Sequence, residues 1–153
     1  MISHDNLEKI KKITEEFFQK TTFEVETNFL PEKEGTIPIN IKTEEPQILI
    51  GEGGQTLVEI QHLLKAILRR KIEETFYIDL DINDYKKKKN EYLKEMARST
   101  ADEVSLTKKE KSLAAMPAYE RRIIHLELAD RTDVITESVG EEPDRKIIIK
   151  PRI

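Results

Sequence analysis

The chain has 153 residues, 37% apolar and 37% charged, with a net charge of −4: enough to bury a real core, and too acidic for a protein that coats nucleic acid indiscriminately. It contains no cysteine, which excludes disulfide frameworks and thiolate metal sites and fits a reducing compartment. No stretch reads as a signal peptide or approaches membrane-spanning length, so a cytoplasmic chain without membrane insertion is expected.

Asp5-Asn6-Leu7-Glu8 has the form of a capping box, and Leu7, Ile10, Ile13 and Phe17 recur at helical spacing, predicting a helix to about Gln19. Phe23, Val25, Thr27 and Phe29 alternate with polar residues, as do Ile37, Ile39 and Ile41, which predicts two half-buried strands. Pro38 donates nothing to a ladder, so the second strand needs that nitrogen on a free side. Residues 44–50 leave room for one or two helical turns. Beyond them Leu57, Ile60, Leu64, Ile67 and Lys71 predict an amphipathic helix, and Phe76, Ile78, Leu80 and Ile82 a third strand. Residues 1–83 therefore read as one module of order α-β-β-α-α-β, a sheet with helices on one face.

Residues 84–153 form a second module. Asp84 is suited to cap a long helix that carries Tyr85, Tyr92, Met96, Thr100 and Val104 on a shared side. Pro117 fits the first position of another helix, to about Ala129. Val134 to Val139 and Lys146 to Lys150 then predict two strands joined by the GEEPDR turn. The modules differ in charge: residues 1–83 carry 10 Lys+Arg against 16 Asp+Glu, residues 84–153 carry 16 against 14. The second module is the better electrostatic partner for a phosphate chain.

Residues 48–57, ILIGEGGQTL, place three of the chain's five glycines within four positions, directly before a predicted helix. A tight helix-to-helix turn explains such glycines. So does a phosphate cradle, because a helix N-terminus offers unpaired N–H groups and the positive end of the macrodipole. In this element order, Gly51, Glu52, Gly53 and Gly54 resemble the GxxG loop of a K-homology (KH) domain of the bacterial type II arrangement. The resemblance implies that the loop clamps the backbone of about four single-stranded nucleotides. Glu52 departs from the basic residue often found there: a carboxylate about 4 Å from a phosphate costs roughly 1–4 kcal/mol, which predicts weak RNA binding by this loop alone.

The second informative stretch is MPAYERRIIHLEL, residues 116–128. At about 100° per residue Tyr119, Ile123 and Leu126 share one helix face, while Arg121 and His125 lie about 40° apart on the opposite one. An arginine fork and an imidazole one turn apart suit phosphate oxygens; an ordinary solvated face accounts for the same spacing. With TESVGEEPDRKIII following, the pattern resembles the R-3-H domain, named for an arginine and a histidine separated by three residues, which binds single-stranded nucleic acid. The resemblance makes Arg121 and His125 the proposed contacts. Arg122, Lys108, Lys109, Lys111, Arg145 and Lys146 are supporting charge on electrostatic grounds.

The expected fold is thus α+β, a type II KH domain followed by a small α/β R-3-H domain. The pairing resembles the Jag (SpoIIIJ-associated) family of bacterial RNA-binding proteins over about residues 1–152, without that family's N-terminal Jag domain. It implies a non-catalytic, post-transcriptional regulator of single-stranded RNA, or of single-stranded DNA, linked to cell elongation or division. A small single-KH protein is the implied partner. Two other readings stand beside it. In one, the acidic module is a protein-binding adaptor with a degenerate KH loop. In the other, GEGGQT is the phosphate loop of a nucleotide-binding enzyme, but it lacks a Walker ending and a βαβ setting. His4, His62 and His125 have no metal-binding spacing. No catalytic residue, metal or cofactor is expected.

Overall fold

The computed structural model describes all 153 residues, which divide into two compact units, Met1–Lys86 and Lys87–Ile153. The first contains helix α1 (His4–Gln19), strands β1 (Val25–Phe29) and β2 (Thr36–Thr43), the short helix α2 (Pro46–Ile50), helix α3 (Gln55–Lys71) and strand β3 (Tyr77–Ile82). Its sheet has the order β1-β2-β3, antiparallel between β1 and β2 and parallel between β2 and β3. Alternation decides which face is buried. Ile37, Ile39 and Ile41 of β2 and Ile78, Leu80 and Ile82 of β3 are buried with Ile10 and Phe18 of α1 and Leu57, Leu64 and Leu68 of α3, while Tyr77 and Asp79 stay outside.

Three local expectations for this unit are corrected. The cap of α1 is Ser3, whose Oγ accepts from the Asn6 N–H at 3.4 Å. Tertiary partners select it: Glu74 accepts from the Ser3 N–H at 3.2 Å and from Asn6 Nδ2 at 2.6 Å, and Glu8 pairs with Lys11 instead of closing a box. β2 is the central strand and has no free side, yet Pro38 is tolerated because the register sets it opposite Leu30, one residue past the end of β1. Its carbonyl still accepts from the Leu30 N–H at 3.0 Å, so its missing donor falls on the last rung of the ladder. β3 starts at Tyr77, with Phe76 buried just before it.

Helix α4 (Tyr85–Thr107) begins at the end of the first unit and contributes its greater part to the second. Asp84 does not cap it, since Asn83 and Asp84 both take positive φ, 49° and 57°. Asn83 is held there by side-chain bonds to both backbone groups of Thr43, and the capping carboxylate comes from Asp81, whose Oδ1 accepts from the Lys86 N–H at 3.0 Å. The second unit continues with β4 (Lys111–Ser112), α5 (Ala118–Leu128), β5 (Val134–Val139) and β6 (Lys146–Pro151), in an antiparallel sheet of order β4-β6-β5. β4 has only two residues, too short to leave a periodic signal. Pro117 stands at the N-cap of α5, one position before the expected first turn.

The buried stripe of α4 runs through Leu93, Ala97, Thr100, Ala101 and Val104 and closes on Ile124, Leu128, Val134, Ile147 and Ile149. Tyr92 was expected on that side. It lies about 100° around the helix from Leu93 and is 59% exposed. No helix is long and apolar enough to cross a membrane.

Candidate nucleic-acid interface

Residues Glu52–Gly54 make a single 3-10 turn between α2 and α3. Gly51, Gly53 and Gly54 all take positive φ, 73°, 61° and 80°, where a side chain is strained. Space explains two of them further. A Cβ on Gly51 would stand 2.1 Å from Thr56 Oγ1, and one on Gly54 would stand 3.0 Å from the Tyr85 ring. Gly53 faces open space, with nothing within 4 Å of such a Cβ. The packing role falls to Gly51 and Gly54, while Glu52 and Gly53 form the loop's exposed rim. The Gly51 and Gly54 N–H groups are spent inside the loop, on Gln47 and Gly51 carbonyls at 3.0 and 3.3 Å. The amide surface offered outward is narrower than the four-residue motif implies.

The open edge of β3 is occupied by this unit's own side chains. Gln61 Oε1 accepts from the Leu80 N–H at 3.0 Å, and Lys86 Nζ donates to Asp79 at 2.6 Å and to Gln61 at 3.2 Å. Such covering protects an edge strand from pairing, and it ties up Lys86, the first of four consecutive lysines, 86–89, near the start of α4.

In the second unit, the expected outward donor surface of Arg121 and His125 is corrected at Arg121. That side chain is 7% exposed, donating from Nη1 to the Met116 carbonyl at 2.6 Å and from Nη2 to Glu142 at 2.7 Å. It ties the start of α5 to the β5–β6 turn. His125 is half-buried, with Nδ1 2.6 Å from Thr136 Oγ1. Burial, and secondarily the Arg121 charge, holds its pKa below the ordinary imidazole value. The helix has turned Arg121 inward and left His125 half-buried, and Tyr119 and Leu126, placed on the opposite face by spacing, are 53% and 64% exposed. Glu142 and Thr136 were missed because a turn residue and a strand residue far along the chain carry no local mark of their partners.

The supporting cations are differently placed. Arg122, Lys108 and Lys109 are exposed, Lys108 with φ 57° just past the end of α4. Lys111 pairs with Glu103 at 2.6 Å. Arg145 donates to Ser138 Oγ and the Gly140 carbonyl at 2.8 and 3.1 Å, and Lys146 is half-buried on β6.

The arrangement defines a class of protein: an α-β-β-α-α-β unit with a glycine loop heading its long helix, followed by a small unit whose buried arginine and half-buried histidine lock one helix to a sheet. The KH domain family model matches residues 8–91 and the R-3-H domain model residues 91–151. The chain belongs to the Jag family of KH–R-3-H proteins. It is 38% identical over 118 residues to a protein named RNA-binding protein KhpB from Clostridium symbiosum, covering 77% of this chain and 53% of that one. The KhpB proteins of Bacillus subtilis and Lactiplantibacillus plantarum are 34% and 35% identical, over 77% and 74% of this chain and 58% and 35% of theirs. The chain thus spans from about a third to somewhat over half the length of these relatives.

Proposed function

We propose that the chain is a non-catalytic, cytoplasmic protein that binds single-stranded RNA and acts after transcription. The observation that carries the reading is the glycine loop. Three positive-φ glycines hold an exposed rim, Glu52 and Gly53, at the head of a 17-residue helix, where the Gly53 backbone lets a phosphate approach the amides and the helix dipole. The relatives' name supports RNA over other anions. In the KH unit Gly53 and the Glu52 backbone contact the strand, while Gly51 and Gly54 shape the loop. In the R-3-H unit Arg122, Lys108 and Lys109 supply charge to phosphates, with Arg145 and Lys146 beside them and Lys111 partly neutralised. Arg121 and His125 act as positioning residues that fix α5.

Crosslinking in cells, followed by sequencing of the recovered RNA, tests the reading. RNA is expected with the wild type and is reduced in Arg122→Gln. Recovery of protein partners without RNA would overturn it. That outcome would favour a second reading, in which the acidic KH unit is a docking surface for a small KH protein. Its support is the exposure of Ile48, Val58, Leu63 and Tyr77. A link to cell elongation or division would appear as altered cell length on deletion of the gene.

A further inference from the structure

The inward turn of Glu120 and Arg121 at the start of α5 leaves Tyr119 and Arg122 outward. Tyr119 is 53% exposed, and Tyr92 on α4 is 59% exposed. One buried carboxylate connects them. Glu120, 6% exposed, accepts from the Tyr119 hydroxyl at 3.2 Å and lies 4.0 Å from Lys89 Nζ. That ammonium in turn stands 5.8 Å from the centre of the Tyr92 ring. Burying a carboxylate is costly unless it holds partners. Here the partners are an aromatic hydroxyl and an ammonium, so Glu120 orients both.

The result is two large rings, each more than half exposed, beside a cation, with Lys87 and Lys88 exposed on the preceding turn of α4 and Arg122 one turn beyond Tyr119. A ring face accepts any base, and the cations favour an anion. A flat-faced, polyanionic occupant is a single-stranded polynucleotide. We propose that Tyr92, Lys89 and Tyr119 form a base-stacking platform, taking one base of a single RNA strand on each ring and a phosphate on Lys89, with Glu120 as the positioning residue. This inference rests on the RNA-binding reading and assigns the R-3-H unit a sequence-tolerant contact distinct from Arg121 and His125.

The full chain is titrated against a labelled oligoadenylate of about a dozen nucleotides at fixed salt. Tyr92→Ala and Tyr119→Ala are each expected to weaken binding about 5- to 150-fold, the range of one base–aromatic stack. The Phe variants should keep most of the affinity. Leu in place of either Tyr keeps the apolar contact without a ring face, and should weaken binding like Ala even where the Ala variant folds poorly. Lys89→Gln should make the slope of log K against log salt shallower by about 0.7. The chain has no tryptophan, so its tyrosine emission can be read directly. Saturating RNA should quench it, and less so in each Ala variant. Wild type that binds while the Ala and Leu variants bind within twofold of it would overturn the platform and leave the RNA reading standing. Failure of the wild type to bind would overturn that reading, and the platform with it.

Discussion

Arg121 carries the family signature, and its guanidinium is bonded within its own unit, to the Met116 carbonyl and Glu142. Removing its guanidinium would strand the Met116 carbonyl, on a residue only 7% exposed, and release Glu142. Arg121→Ala should therefore lower stability by about 1–3 kcal/mol, the cost of an unsatisfied buried polar group, measured by urea denaturation. Unchanged stability would mean that the arginine is free to leave its pocket. His125 gives a pH prediction. Its folded pKa lies below the 6.5 of a free imidazole, so on acidification the unfolded chain takes up the proton first. The stability it contributes is fully present above about pH 6.5 and is lost as pH falls through its lowered folded pKa. The melting temperature should drop more between pH 7.5 and 5.5 in the wild type than in His125→Gln. Equal drops would exclude His125 as the titrating group. Both residues could be named from the R-3-H resemblance, but their direction could not be read, because hydropathy alone sets Tyr119 and Leu126 inward.

The glycine loop orders its own substitutions. Gly53→Ala meets no atom and bears only the left-handed backbone, about 1–2 kcal/mol. Gly54→Ala adds a 3.0 Å contact with the Tyr85 ring, and Gly51→Ala a 2.1 Å overlap with Thr56. Stability measured by thermal melting should fall in the order Gly53, Gly54, Gly51; an equal loss at all three would mean that the loop relaxes. Glu52→Lys, on the exposed rim, should tighten single-stranded RNA binding about fivefold or more, from a Coulomb term of roughly 1 kcal/mol per charge at about 4 Å in water. Unchanged affinity in a fluorescence anisotropy titration would take the rim out of the interface. At this scale the elements themselves were legible, since α3 and β3 each carry a clean period. Their caps were not: Ser3 and Asp81 cap helices through contacts with Glu74 and with the α4 backbone that no local pattern records.

Across the whole molecule, charge sets the dependence on salt. Each phosphate contact on a single strand contributes about 0.7 to the slope of log K against log salt. Arg122→Gln should make that slope shallower by about 0.7 and Glu52→Lys steeper by a similar amount. A slope that ignores both variants would place the strand elsewhere on the surface. The order of modules, the fold class and the two motifs were all readable from the amino acids alone, because periodicity, glycine spacing and an Arg-His pair are properties of neighbours along the chain. Which way those motifs face was decided by the tertiary structure. Packing α5 on its sheet satisfies the Arg121 fork with a carbonyl and a carboxylate and buries Glu120 beside Lys89, and that exchange leaves the aromatic rings in water. The physical reason is that buried polar groups need partners, and here those partners come from segments distant in the sequence.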